Sequence, residues 1–83
     1  MVDHGYPPDN WDYIESIYNF CAFYSISYSR FGRNYARDPR LYWDYTRMGR
    51  VPTKASQYAL WTYMHEYMER NTPNPPYGIL KCV

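Results

Sequence analysis

The 83-residue chain is poor in the residues that usually carry catalysis. It has two histidines, His4 and His65, and four glycines that stand singly along the sequence. Neither histidine lies in a nucleophile motif, and isolated glycines do not form a phosphate-binding loop. His65 and Glu69 stand four residues apart, which indicates a hydrogen-bonded pair on a helix surface, because the further ligands that a metal ion needs are missing. We therefore expect no enzyme activity, no catalytic residue, no cofactor and no bound metal.

Long hydrophobic runs are also missing. The longest uncharged segment, residues 16–29, is short for a bilayer and contains Asn19 and several serines. No early apolar stretch combines basic residues before it with a small-residue cleavage site after it, so we expect no secretory signal. These features predict a soluble protein of the cytoplasm. Cys21 and Cys82 are then expected as free thiols, with a bridge between them as the open alternative.

Aromatic residues are what the chain has in quantity. It contains 12 Tyr, 3 Trp and 3 Phe at a net charge of only +1. Each aromatic ring buries about 150–250 Å², so even a small chain can build a core from them. We expect one folded domain, residues 1–83. Three short helices cannot bury all of the tyrosines, so the sequence predicts an exposed aromatic surface suited to binding. The five tyrosines in excess are Tyr13, Tyr18, Tyr35, Tyr42 and Tyr63.

The first half of the chain can be interpreted in two ways. Residues 24–29 alternate apolar and polar side chains, which is typical of a strand, whereas a longer stripe has the spacing of a helix. The members of that stripe are Ile14, Ile17, Cys21, Tyr24, Tyr28 and Phe31. Asp9 or Asn10 precedes it as a cap and Gly32 follows it as a helix-ending residue. The longer pattern predicts a helix over about residues 10–31.

Two more helices are predicted from their end signals. Asp38 and Pro39 begin a helix over 39–48 that Gly49 ends, and Thr53 caps a helix over 53–70. Residues 1–9 and 72–83 contain prolines and are expected to be extended arms. The largely apolar residues 79–83 at the end of the second arm are expected to pack on the helices or on a partner. The predicted fold class is all-α, a small three-helix domain.

Charge is unevenly placed. Residues 1–29 hold four acids and neither Lys nor Arg, whereas residues 30–54 hold seven cations against two acids. Arginine among aromatic residues is typical of protein interfaces and also of surfaces that bind single-stranded nucleic acid. A solvated basic edge that balances the acidic first helix is the ordinary explanation. The candidate partner-binding residues are Arg33, Tyr35, Arg37, Arg40, Trp43, Arg47 and Arg50.

Three functional hypotheses follow. The first is a non-enzymatic protein that acts by stoichiometric contact with a protein partner. A compact chain rich in Tyr and Trp without a catalytic signature is similar to small accessory proteins of phages and other mobile elements, although this similarity maps onto no residue. It implies an inhibitor of a host or defence nucleic-acid machine, acting in the host cell cytoplasm.

The second hypothesis is a helix–turn–helix regulator of DNA, in which polar side chains at the start of the third helix contact base edges. These side chains are Thr53, Lys54, Ser56 and Gln57. The third is a structural or self-assembling subunit, a homo-oligomer that uses the apolar tail, residues 79–83. No membrane partner is expected.

Overall fold

Four α-helices and a two-stranded ribbon make up the computed structural model, which describes residues 4–83. The helices are α1 (Tyr13–Tyr24), α2 (Tyr28–Ala36), α3 (Leu41–Arg47) and α4 (Lys54–Asn71). The strands are β1 (Trp11–Asp12) and β2 (Lys81–Cys82), and a 3-10 helix, Tyr77–Ile79, precedes β2. The radius of gyration of the Cα atoms is 12.0 Å, close to the value of about 12 Å for a compact chain of this length. The prediction of a small helical domain is confirmed, and that of three helices is wrong.

The predicted first helix is in fact two helices. Ser25 follows α1 in the left-handed conformation, with a φ of 55°, and turns the chain. Ser27 then caps α2, because its hydroxyl accepts a hydrogen bond from the Arg30 N–H at 3.1 Å. A continuous helix over residues 10–31 was the wrong prediction, since serine side chains compete for backbone hydrogen bonds and favour caps over helix interiors. The alternation of residues 24–29 marks a turn rather than a strand.

The beginning of α1 is also later than predicted. Asp12 is the cap, and its carboxylate accepts a hydrogen bond from the Glu15 N–H at 3.0 Å. Trp11 and Asp12 belong to β1, where they pair antiparallel with Cys82 and Lys81. Residues 10–12 were assigned to the helix because a local pattern cannot reveal a partner strand at the other end of the chain.

Gly32 lies inside α2 instead of ending it. The helix continues to Ala36, and Arg37 ends it with a φ of 54°. Gly32 is buried, and its carbonyl accepts a hydrogen bond from the Asp38 N–H at 3.1 Å. A Cβ at this position would collide with the Asp38 carbonyl oxygen. Glycine is therefore needed here because the chain that leads into α3 passes close to the helix.

Of the end signals of the two later helices, Gly49 and Thr53 were predicted correctly, whereas Asp38 is not the cap of α3, because Arg40 occupies that position without a side-chain capping bond. Before α3, the Asp38 carboxylate accepts a hydrogen bond from the Arg40 N–H at 3.1 Å, and Gly49 follows the helix with a φ of 70°. The first residues of the predicted helix over 39–48 form a turn, so that α3 begins at Leu41. Thr53 caps α4 by accepting a hydrogen bond from the Ser56 N–H at 3.1 Å. The predicted helix over 53–70 thus corresponds to α4.

The two ends of the chain meet around Ser16, which is fully buried. Its hydroxyl accepts hydrogen bonds from the Trp11 indole N–H at 2.9 Å and the Lys81 N–H at 3.0 Å, and donates one to the Asp12 carbonyl at 2.7 Å. Residues 1–3 of the predicted N-terminal arm lie outside the described residues. The C-terminal arm, 72–83, is a short helix and a strand, so the prediction of two merely extended arms was incomplete.

The core is built mainly from large side chains of all four helices. Its buried members are Trp11, Ile17, Phe20, Cys21, Phe31, Leu41, Tyr45, Leu60, Met64 and Met68. Of the five tyrosines predicted to be surplus, four pack against this core, and Tyr18 is 50% exposed. Rings pack on other rings, as where Tyr28 stacks on Tyr42 with centroids 4.0 Å apart. The aromatic surplus is therefore smaller than the sequence predicted. Cys21 and Cys82 are both free thiols.

Candidate docking surface

One face of α3 brings three of the predicted partner-binding residues together. Arg40, Trp43 and Arg47 follow the i, i+3, i+7 spacing of a single helix face, while Leu41 and Tyr45 face the core. They line a groove of about 540 Å³, called here the arginine groove, with Ser29, Pro39, Asp44 and Met48. Two turns of helix place the two arginines about 10 Å apart along the axis.

The two arginines of this groove have no acidic partner in the part of the chain that the structure describes. Within residues 4–83, no carboxylate forms a salt bridge with the guanidinium of Arg40 or Arg47. Trp43 offers a further unused donor, because its indole N–H has no hydrogen-bond acceptor among the described residues. By contrast, Trp11 donates to the Ser16 hydroxyl and Trp61 to the His4 carbonyl, at 2.9 and 3.4 Å. The arginine groove therefore presents three unsatisfied donor groups.

Arg50, a fourth candidate, is occupied within the molecule. Its guanidinium lies 3.2 Å from the Asp38 carboxylate and 3.3 Å from that of Asp44, and it lies over the Tyr45 ring at 5.7 Å. The hydrogen bond to Asp38 is the largest cause of the raised pKa of Arg50. The contact with Arg50 offsets part of the negative charge of Asp44 on the wall of the arginine groove.

The remaining candidates do not line the groove. Tyr35 packs inward, with its ring against Phe31 at 6.1 Å and its hydroxyl donating to the Ser56 carbonyl at 3.1 Å. Burial, with a smaller contribution from Tyr45, raises the pKa of Tyr35 to about 12. Arg33 and Arg37 are exposed at the end of α2.

A second groove, which the sequence did not predict, adjoins the first. This apolar groove, of about 450 Å³, lies between α1 and α2 and shares Trp43 as a wall; its other lining residues are Tyr18, Cys21, Ala22, Ile26, Ser27 and Tyr28. Burial raises the pKa of the Cys21 thiol to about 12, so that Cys21 is a neutral part of the wall and a poor nucleophile. The local signal was the i, i+3, i+4 spacing of Tyr18, Cys21 and Ala22 on α1, because the other walls come from the following turn, from α2 and from α3.

Trp43 is held between these grooves by neighbouring rings. It makes edge-on contacts with Tyr28 and Tyr42 at centroid distances of 5.9 and 6.3 Å, and those two rings stack on each other. Burial is also the main cause that raises the pKa of Tyr42 to about 12, followed by the neighbouring Tyr28. The ridge formed by these three rings is consequently ordered before any ligand arrives.

The predicted DNA-contacting residues serve the start of α4. The hydroxyl of Thr53 accepts the capping hydrogen bond and also donates to the Ser56 hydroxyl at 3.1 Å. The Gln57 side chain donates to the Pro52 carbonyl at 3.3 Å. Lys54 and Gln57 line a groove with residues 6–9 of the N-terminal segment. Thr53, Ser56 and Gln57 are thus engaged locally, whereas Lys54 is exposed.

A polar cluster further along α4 brings together residues from near both ends of the described chain. We call it the terminal cluster: His4, His65, Glu69 and Tyr77. The Glu69 carboxylate accepts hydrogen bonds from His4 Nε2 at 2.9 Å and from the Tyr77 hydroxyl at 2.7 Å. The His65 ring lies between the rings of His4 and Tyr77, at centroid distances of 4.7 and 5.4 Å. His65 Nδ1 donates to the Trp61 carbonyl rather than to Glu69, so the predicted His65–Glu69 hydrogen bond was wrong.

Three side chains of the terminal cluster have shifted pKa values: the pKa of Tyr77 is raised, chiefly by its hydrogen bond to Glu69, whereas those of Glu69 and His65 are lowered. Hydrogen bonds from Tyr77 and then from His4 lower the pKa of Glu69, and burial lowers that of His65. In the part of the chain that the structure describes, no three side chains of His, Cys, Asp or Glu are placed to hold a metal ion. The terminal cluster therefore serves as a structural contact that holds the segments around His4 and Tyr77 against α4.

Comparison with protein-family models, with curated proteins and with solved structures gave no significant match. Within residues 4–83, no helix combines the length and the apolar character needed to cross a bilayer. The functional inference consequently depends on the residues of this chain.

Proposed function

We propose that this protein is a non-enzymatic binding protein that acts by stoichiometric contact with an acidic protein partner, through the arginine groove. The single observation that supports this proposal most strongly is the contrast between arginines. Arg50 is satisfied by Asp38 and Asp44, whereas Arg40 and Arg47 have no acidic partner within the described residues. A carboxylate is a charge-complementary ligand for these guanidinium groups.

A protein partner fits this groove better than a nucleic acid does. The net charge of the chain is only +1, so little affinity for a nucleic acid would come from counterion release. The helix–turn–helix hypothesis gains no support from the start of α4, where Thr53 and Gln57 already hydrogen-bond locally. Self-assembly through the tail is also disfavoured, because Ile79 and Leu80 pack against the core.

Inhibition of a host or defence enzyme that acts on nucleic acid remains the most specific form of this proposal. The positive groove would then bind an acidic surface of that enzyme and not its basic nucleic-acid channel, because like charges repel.

Affinity capture from the source cell, with and without nuclease, tests the proposed function. We expect a protein to stay bound after nuclease treatment and to be lost from the charge-reversed variant R40E/R47E, as well as from R37E/R40E/R47E, which also reverses the neighbouring Arg37 outside the groove. The variant K54E/R70E/K81E makes the same change in charge as R37E/R40E/R47E at exposed positions elsewhere and should retain the partner. Circular dichroism checks that all of these variants are folded.

Two results would contradict the proposal. Release by nuclease would indicate a nucleic-acid partner, the more so if K54E/R70E/K81E also fails to bind. Capture that is unchanged by R37E/R40E/R47E would remove the arginine groove as the docking surface.

A further inference from the structure

Trp43 belongs to both the arginine groove and the apolar groove, so a ligand seated in one groove lies directly beside the other. The stacked rings of Tyr28 and Tyr42 both make edge-on contacts with the Trp43 ring. A side chain that is already held in place loses little conformational entropy when it is bound. Trp43 is thus suited to be the centre of an interface, as tryptophan often is.

The two grooves differ in the ligand chemistry that they favour. The arginine groove offers the guanidinium groups of Arg40 and Arg47, which have no salt-bridge partner within residues 4–83. The apolar groove contains no charged residue among its lining side chains. On its α1 side, Tyr18 is 50% exposed. One side of Trp43 thus complements negative charge, and the other complements an apolar side chain.

From this arrangement we infer that the partner presents a short amphipathic segment that straddles Trp43. An Asp or Glu of the segment lies in the arginine groove, and a large apolar side chain of the same segment lies in the apolar groove. The Trp43 indole N–H is an additional donor available to a polar group of the segment. This inference rests on the proposed function and adds the partner's chemistry.

A nucleic acid matches this pair of grooves less well. A single strand needs cations along the track of its phosphates, beside the rings on which its bases stack. The lining residues of the apolar groove include neither Lys nor Arg, so the positive charge ends at Trp43. The occupant that fits both grooves is therefore an acidic and apolar segment of a protein.

Selection from a random peptide library on the full chain tests the inference without knowledge of the natural partner. We expect the enriched peptides to combine an Asp or Glu with a Phe, Trp, Leu or Met. Affinity for an enriched peptide should fall at least about tenfold in R40A/R47A. It should fall comparably in A22E, which places a charge in the apolar groove from an exposed position. The matched control is A55E, which adds the same charge at an exposed position of α4 and should bind normally.

A more conservative variant separates the hydrogen bond of Trp43 from its ring. W43F keeps an aromatic wall but removes the indole N–H. The affinity for the peptide should fall about fivefold, which corresponds to the loss of one hydrogen bond. No change in affinity would show that the N–H does not contact the peptide.

The outcomes distinguish this inference from the proposed function. Dependence on both R40A/R47A and A22E supports the two-groove arrangement. Dependence on R40A/R47A alone overturns it and leaves the proposed function standing. The inference is overturned if the enriched peptides lack an acidic residue, if no peptide is enriched, or if a single-stranded oligonucleotide displaces the peptide. If the affinity of the peptides is unchanged in R40A/R47A, the proposed function is contradicted as well.

Discussion

The terminal cluster and the arginine groove both present polar and aromatic side chains, but the carboxylate of the first is paired, whereas the arginines of the second have no acidic partner among the described residues. In the terminal cluster, Glu69 receives hydrogen bonds from His4 and Tyr77, which come from the two ends of the chain. In the arginine groove, Arg40 and Arg47 extend into solvent without a carboxylate partner among residues 4–83. An unpaired arginine that stays hydrated costs the fold little, because water solvates its charge. The difference shows that unpaired polar groups at a surface can bind a ligand without lowering the stability of the fold.

Among the substitutions that test this difference, Gly32→Ala is expected to change the stability of the protein most. A Cβ there would collide with the Asp38 carbonyl oxygen, and a backbone atom cannot move aside as a flexible side chain can. We expect a loss of about 2–3 kcal/mol in the free energy of unfolding, measured by urea denaturation. Gly78→Ala is the control, because nothing lies within 4 Å of its added Cβ; it should change stability by less than about 0.5 kcal/mol.

The same variant should disturb the two regions unequally. Gly32 sets the approach of α2 to the chain entering α3, so NMR shift changes should spread through the arginine groove and spare Glu69 and its neighbours. A variant as stable as the parent, or shift changes centred on the terminal cluster, would contradict the close packing at Gly32.

The features that the sequence predicted correctly depend on neighbouring residues. Thr53 as a cap and Gly49 after α3 each act within a few residues, so local rules apply to them. The meeting of Arg40, Trp43 and Arg47 on one helix face was predictable for the same reason, since spacing alone places them together.

The features that were missed depend on residues far along the chain. Trp11 pairs with Cys82, and the hydroxyl of Tyr35 finds its acceptor on α4, so neither environment is visible in a local window. The apolar groove was missed because two separate helices and Trp43 form its walls. The turn at Ser25 is the exception: its serines were a local signal, which the longer apolar stripe outweighed.

Acidification should weaken the terminal cluster. The pKa values of Glu69 and His65 are lower in the folded protein than their ordinary values of 4.5 and 6.5. The unfolded chain therefore binds more protons below those values, and stability falls as the pH falls. The loss begins below about pH 6.5 through His65, which is half-buried beside the ring of His4, and continues below about pH 4.5 through Glu69.

Thermal unfolding between pH 7 and pH 4 measures this dependence. Glu69→Gln should be less stable than the parent at pH 7, because the charge-assisted bonds from His4 and Tyr77 are lost, and should lose less stability on acidification. Glu66→Gln on the same helix is the control and should follow the parent. Parallel curves for the parent and Glu69→Gln would show that Glu69 does not hold the chain ends.

The smallest effect, and the sharpest test of the contrast between paired and unpaired arginines, comes from three single substitutions. Arg50→Ala removes contacts with Asp38 and Asp44 and should lower the free energy of unfolding by about 1 kcal/mol at low salt. Arg40→Ala and Arg47→Ala remove no such contact and should leave it unchanged within about 0.3 kcal/mol. In 1 M salt the three variants should converge on the parent, because ions screen exposed charge pairs. If Arg40→Ala or Arg47→Ala lowered the free energy of unfolding as much as Arg50→Ala does, these arginines would have acidic partners within the folded protein. The donors of the arginine groove would then already be satisfied, and the groove would have little affinity for an acidic protein.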